Sequence, residues 1–473
     1  MSEQVPAGAS YEQELSRSLG VWGNIAITIS AVTPASSVFI IVPFIIFAAG
    51  TGAFLSMLFA AIIGVFMAFC WAELSAAFPI AGGDYALVWH AYKGRLAALA
   101  GPLSFATFAL MCAAIAFIPA VIALGTAEYL KVVFEVPTAA TGAAVVGLAT
   151  LIAILNIRLN AVVTGIFLVI ELSALGILTL LGILNFHADR VPQLFSGWVL
   201  GNAETGALDP IAFGAVLTAT AMAVFAYNGY NAAVNLSEET KGTSRHIATA
   251  ILWSLIITVA AELIPTTAVL LGAPDLAAVT SDATPMSAFL RATSNETINT
   301  IVSLGIAIAI FNAVIAIIIQ FGRILYSAAR DRAFPGVTSE WLASVHVAWK
   351  TPWIATILVG IIGVILSLTV DLGTLITLTG ASLVFNYALI ALAAFVARWV
   401  GSADHSPYKM PFWPLPPLAA IVALLYITTQ QTQQALIVTG GTVLVGLVYW
   451  AIVILPQKGR AWTLKEPIRD EGF

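Results

Sequence analysis

Two polar interruptions and one isolated carboxyl stand in runs of this sequence that are otherwise apolar. Thr33-Pro34-Ala35-Ser36-Ser37 separates Ala26-Ile27-Thr28-Ile29-Ser30-Ala31-Val32 from Val38-Phe39-Ile40-Ile41-Val42. Proline removes a backbone donor and clashes with the preceding turn, and neighbouring hydroxyls can bond backbone groups in place of the helical ladder. A second run, Val224-Phe225-Ala226-Tyr227-Asn228-Gly229-Tyr230-Asn231, packs a glycine, amides and aromatics into apolar sequence. Unwound N–H groups at the start of a half-helix favour an anion such as a carboxylate. Freed carbonyls favour an ammonium, and the faces of Phe225, Tyr227 or Tyr230 can cover a cation. This is recognition of a small zwitterion or amine. A phosphate is disfavoured, because no arginine or lysine lies within the apolar runs to offset its charge. The isolated carboxyl is Glu171, in Phe167-Leu168-Val169-Ile170-Glu171-Leu172-Ser173. Ionised and unpaired it would be costly to bury. Three roles stay open: loading and releasing a coupling proton, attracting a cationic substrate, or standing as a protonated acid bonded to a backbone carbonyl.

The elements that must position these groups follow from composition. Of 473 residues, 60% are hydrophobic and 9% are charged, against roughly 25% charged in a soluble domain. Such a chain cannot coat a globule of its size with charge. A bilayer-crossing helix needs about 20 apolar residues, and twelve such stretches are present, near 20–49, 52–79, 97–130, 137–157, 161–185, 210–236, 247–272, 298–328, 352–370, 372–398, 414–430 and 435–455. The acidic, polar residues 1–18 do not read as a cleaved signal peptide. With the N-terminus inside, only Lys131, Arg190 and Arg291 face outward, and the other 16 of 19 cations lie inside. That bias predicts two cytoplasmic termini in a multi-pass cell-membrane protein.

Cys70 and Cys112 lie in apolar runs and offer neither a disulfide framework nor a metal cluster. The histidines fall near loops or span ends and read as surface groups. No basic tract predicts nucleic-acid binding, and no catalytic constellation predicts an enzyme. The architecture is that of a solute carrier, with a channel or a transporter-like sensor as the alternative class. The two interrupted runs occupy matching places in successive sets of five spans. That pattern predicts an inverted repeat with substrate held between half-helices, on Ile29, Thr33, Ala35, Ser36, Ser37, Phe225, Tyr227, Asn228, Gly229, Tyr230 and Asn231.

Three motifs carry a resemblance. Ala72-Glu73-Leu74-Ser75-Ala76-Ala77-Phe78-Pro79-Ile80-Ala81-Gly82-Gly83-Asp84-Tyr85 resembles the E-L-(x)n-P-x-A-G-G-x-Y stretch of the amino acid–polyamine–organocation (APC) superfamily. Phe225 to Asn231, followed by Glu238-Glu239-Thr240, resembles its F-x-x-x-G-[FY]-[DE] and EE pattern. Gly322 to Pro335 resembles its R-x-(x)n-A-R-D-x-x-x-P element. The resemblance covers the first ten spans in order. It implies an all-α integral membrane protein of twelve helices with the five-plus-five inverted-repeat (LeuT-type) fold, helices 1 and 6 discontinuous. The expected units are a tail 1–18, repeats 19–185 and 207–398, a peripheral pair 411–455 and a tail 456–473.

The resemblance also marks departures. Where many relatives have glycine–serine–glycine at the first break, this chain has Ala35, Ser36 and Ser37. Asn231 replaces the acid that often ends the second motif, Phe225 falls where a gating aromatic is common, and Glu171 stands where many relatives carry a lysine. The implied activity is import of an amino acid or related organic amine by alternating access, with a polyamine or monoamine importer or exchanger without carboxylate recognition as the alternative. No cofactor is expected. The coupling ion is read as a proton through Glu171, sodium staying open because hydroxyls and carbonyls can ligate it. Glu73 and Arg323 are candidates for an inner gate, Glu262 for a bonded structural carboxyl, and Asn312 and Gln320 for site lining or interhelical bonds. The partners are the small-molecule substrate and the bilayer. Oligomeric state is not readable.

Overall fold

In hydrocarbon a spanning segment must satisfy its own backbone groups, which helices do, and the computed structural model of the chain is built almost wholly of helices. It describes residues 20–80, 82–131, 134–155, 161–236, 245–349, 351–457 and 459–464. The tail 1–18, Ala81, Glu238-Glu239-Thr240, Lys458 and residues 465–473 lie outside the described residues.

The main helices are α1 (Val21–Val32), α2 (Val42–Ala49), α3 (Ala53–Ala77), α4 (Asp84–Ala91), α5 (Ala97–Leu130), α6 (Thr138–Ile154), α7 (Ala161–Leu184), α8 (Phe213–Ala226), α9 (Arg245–Gly272), α10 (Glu296–Arg330), α11 (Trp353–Thr369), α12 (Leu372–Trp399), α13 (Leu415–Thr429) and α14 (Gln433–Tyr449). Each apolar range read from the sequence carries helix, with ends displaced by a turn or less. Seven helical segments among the described residues are long and apolar enough to cross a membrane, and α6, α11 and α13 are shorter apolar helices. Leu151, Val169, Ile183, Ile301, Val422 and Leu444 stand more than half exposed on the outside of the bundle. A belt of bare aliphatic side chains fits lipid rather than water.

One departure from an all-helical chain is a hairpin between α7 and α8, where β1 (Val199–Gly201) pairs antiparallel with β2 (Leu208–Pro210). Asn202 closes its turn by accepting from the N–H groups of Glu204 and Thr205.

The interior is assembled around α5, which packs on α6, α10, α11 and α12. Helix α9 lies along α1, α3 and α7, and α8 lies against α2, α3 and α12. Lipid supplies no hydrophobic drive for helix association, so close approach and interhelical hydrogen bonds do that work. Ser56 on α3 donates to the Val216 carbonyl on α8 at 2.8 Å. Gly380 on α12 comes so near α8 that a Cβ there would stand 2.7 Å from the Ala221 carbonyl oxygen.

Candidate functional site

The first helix comes apart where its proline falls. Thr33 adopts a left-handed conformation (φ 50°, ψ 68°), its N–H still bonded to the Ile29 carbonyl at 3.1 Å. Pro34–Ser36 then form a single turn with Pro34 at its start, and Ser37–Ile41 run on as a widened π-type segment before α2. Such a segment leaves carbonyls out of the regular ladder. One is recovered by Tyr129 of α5, whose hydroxyl donates to the Phe39 carbonyl and whose ring meets Phe39 edge-on at 5.1 Å.

The second break follows α8. The chain turns through Tyr227-Asn228-Gly229, with Asn228 N–H on the Phe225 carbonyl at 3.0 Å, and continues as a 3-10 segment, Tyr230–Leu236. Gly229 has φ +117°, a region L side chains rarely adopt, and a Cβ there would stand 3.1 Å from Val32 Cγ2. Both the turn and the close approach of the two breaks therefore require glycine. Ser37 joins them directly by donating to the Ala226 carbonyl at 2.8 Å.

Between the breaks lies a cavity of about 120 Å³. Its lining includes Thr33, Ser37, Phe225, Asn228, Gly229 and Asn231 from the sequence-derived set, together with apolar side chains of α5 (Leu110, Met111, Ile115, Ile118), Gln320 and Phe321 of α10, and Asn386 of α12. Ile29, Ala35, Ser36, Tyr227 and Tyr230 are buried but outside that lining. Tyr230 instead meets the Trp71 ring edge-on at 5.7 Å. Asn312 is likewise outside the lining.

Polar groups from several helices fix the lining. Tyr387 on α12 donates to Asn228 Oδ1 at 3.1 Å. Asp84, at the start of α4, accepts from Trp71 Nε1 at 2.8 Å and from Asn386 Nδ2 at 2.7 Å, and Asn231 is a further side-chain partner. One buried carboxyl thus gathers α3, α4, α12 and the second break. Glu171 sits beside the first break, where the backbone of Ala35 acts on its carboxyl, with Oε2 unpartnered among the described residues.

Several expectations change. Glu73 does not pair with Arg323. Its carboxylate is 3.5 Å from Arg398 Nη1 and accepts the Met410 N–H at 2.9 Å, while Arg323 is exposed. The reason is packing: α3 runs beside α12, which ends in Arg398, rather than beside α10, which carries Arg323. Glu262 is fully buried, and neither carboxyl oxygen has a hydrogen-bond partner among the described residues, so it is not the bonded structural carboxyl expected. His90 is buried against Phe78, and His405 Nε2 meets the Ala77 carbonyl at 2.8 Å, so neither is a plain surface group. The sequence reading passed over Asp84, Tyr387 and Asn386. Asp84 alone had a signal, as an acid just after Gly82-Gly83; the other two sit in ordinary helical sequence.

A family model described as amino acid permease matches residues 19–455. The chain is 24% identical over 441 residues to the branched-chain amino acid permease BcaP of Bacillus subtilis, covering 89% of each. It is 23% identical over 386 residues to the methylthioribose transporter of the same organism, covering 78% of each. Similarity extends to the chloroplastic cationic amino acid transporter 7 of Arabidopsis thaliana, 23% identical over 76% of this chain and 62% of that one.

Proposed function

This chain belongs to the amino acid permease family, in the APC superfamily, and from that premise we propose that it imports an amino acid or related organic amine by alternating access, driven by protons through Glu171. It is a multi-pass membrane transporter and not an enzyme. The observation that carries the proposal is the cavity bounded by both helix breaks, Thr33 to Ser37 on one side and Phe225 to Asn231 on the other. Loosened backbone at that depth is tolerated only where it is buried in protein or lines a cavity, and there it can bond both ends of a zwitterion.

The lining supports a modest, partly aliphatic substrate, with Leu110, Met111, Ile115 and Phe321 beside amides and hydroxyls. Relatives include permeases for branched-chain and for cationic amino acids and a carrier for methylthioribose, so the family sets the scaffold and the lining sets the cargo. A monoamine or polyamine is the second reading. What favours it is the acidic character of the surroundings, with Asp84 in the lining and Glu171 beside the first break, and no lysine or arginine among the lining residues.

The proposed architecture is twelve crossings with both termini cytoplasmic in the cell membrane, repeats at 19–185 and 207–398, and a peripheral pair at 411–455. The long helices, the shorter apolar ones and the broken α8 segment support that count. The cation distribution supports the orientation.

The test is a thermal-stability screen of purified protein against amino acids and amines, since a ligand that binds the folded state raises its apparent stability. Uptake of the hit into proteoliposomes then follows. Accumulation under an inward proton gradient, abolished by Glu171→Gln, is the expected result. Equal uptake with and without the gradient would overturn the coupling.

A further inference from the structure

Glu262 on α9 has no role in the transport reading, yet its surroundings are specific. It is 0% exposed, and neither oxygen has a partner among the described residues. The hydroxyl beside it is that of Ser37, whose proton is given to the Ala226 carbonyl at 2.8 Å. Ser37 Oγ therefore offers Glu262 an acceptor and no donor. A carboxylate can only accept, whereas the protonated acid also donates. With no donor on either oxygen among the described residues, the buried carboxylate would go unsatisfied, and the neutral acid is the form such a site tolerates better.

Glu171 stands across the same break. Helices α7 and α9 lie along each other, and both touch Pro34–Ser36. Glu171 lies beside the Ala35 backbone with Oε2 unpartnered among the described residues, and it is within electrostatic reach of Glu262. On the elements packed against α9 (α1, residues 34–41, α3, α7 and residues 230–236) the titratable side chains are Cys70, Glu73, Glu171 and Tyr230, and none is basic. Tyr227, at the end of α8, also reaches Glu262. Arg245 and His246 open α9 itself, roughly 25 Å along the helix at 1.5 Å per residue. No cation on those elements is therefore near Glu262. On the other elements packed against α7 the titratable side chains are Glu296, Arg323, Tyr326 and Arg330 of α10 and Arg291 of residues 285–293. Arg323 lies roughly 27 Å along α10 from Gly305, which meets Ile170. The hydroxyls of Ser36, Thr258 and Tyr227, each at most 1% exposed, have no partner among the described residues either. Thr258 is one turn before Glu262 on the same face.

We infer that Glu171 and Glu262 form one two-carboxyl proton site bracketing the broken first helix, with at least one proton held between them at neutral pH. Two like charges at close quarters in a poorly solvated interior cannot both form, so the pair titrates as a unit. Movement of residues 33–37 during the cycle changes what each carboxyl touches and hence which of the two holds the proton. The inference rests on the reading of Glu171 as the coupling group and adds its partner.

The test needs no substrate. Infrared spectroscopy of the full-length protein in lipid follows the protonated-carboxyl C=O band as pH is raised. The wild type should keep such a band above the ordinary carboxylate range and lose it in two steps. Glu262→Gln and Glu171→Gln should each leave one step, displaced by about one pH unit or more from either wild-type step. Glu262→Asp should restore two. If a glutamine variant does not fold, the wild-type and Glu262→Asp titrations still decide. A wild type with no band above the ordinary range, or a Glu171 step unmoved by Glu262→Gln, would overturn the pair. Loss of the coupling reading would show elsewhere, as gradient-driven uptake surviving Glu171→Gln while the infrared steps stayed linked.

Discussion

Ser37 donates its hydroxyl proton to the carbonyl of Ala226 at 2.8 Å, joining two breaks that lie 189 residues apart in sequence. The bond is buried, and it holds the floor of the cavity by its two loosened backbones. Removing the donor leaves a buried carbonyl unsatisfied, at a cost of about 1–3 kcal/mol. Ser37→Ala should therefore lower the thermal midpoint of the purified protein and weaken substrate binding together. A drop in neither would mean that the two breaks are held by other contacts.

Tyr387, outside the cavity lining, acts on it through Asn228, donating to its side-chain oxygen at 3.1 Å. Tyr387→Phe removes that single bond, worth about 1 kcal/mol, or about fivefold in affinity if the amide must be oriented to bind. Uptake kinetics should show a several-fold rise in KM with little change in folded yield.

Glu73 and Arg398 make a contrast with Arg323. The Glu73 side chain is 2% exposed, so Arg398→Gln strands a buried carboxylate with the Met410 N–H as its remaining partner, a loss of about 2 kcal/mol on the scale of charge-assisted hydrogen bonds. Arg323→Gln, at an exposed position, should leave the thermal midpoint within experimental error. Equal destabilisation by both would restore the gate read from sequence.

Asp371 caps α12, accepting the Thr374 N–H at 2.8 Å. The Thr374 hydroxyl, and after it this N–H, hold the carboxyl below the ordinary aspartate range. The folded protein thus prefers the ionised form. The stabilisation is present above the unfolded-state range and fades as pH falls through the lower folded-state value. Asp371→Ala should cost about 1 kcal/mol at neutral pH. Asp371→Asn keeps a neutral cap and should lose the acid-side fall in stability. Thermal melts across acid pH check both.

The helical stretches were legible because lipid imposes a length and a composition on each. The breaks were legible because Pro34 and Gly229 cannot continue a helix cheaply in those surroundings, and six of the proposed binding residues line the cavity. What periodicity could not give was partnership across helices. Asp84 collects Trp71, Asn386 and Asn231 from three distant places. Glu73 chooses Arg398 because of which helix lies beside α3. Tyr227 and Tyr230 look like site aromatics in sequence, but the turn at Gly229 carries both into packing behind the cavity. Glu262 read as a structural acid because nothing local shows that no donor reaches it.

Gly229→Ala tests the central claim most directly, by equilibrium binding of whichever radiolabelled amino acid or amine stabilises the wild type. The added methyl meets Val32 at 3.1 Å on a backbone with φ +117°, so it pushes the two breaks apart and should leave the long helices in place. The account predicts a folded, monodisperse variant whose affinity falls by about tenfold or more, the equivalent of about 1.4 kcal/mol. A folded variant that binds as tightly as the wild type would contradict a substrate held between the two breaks.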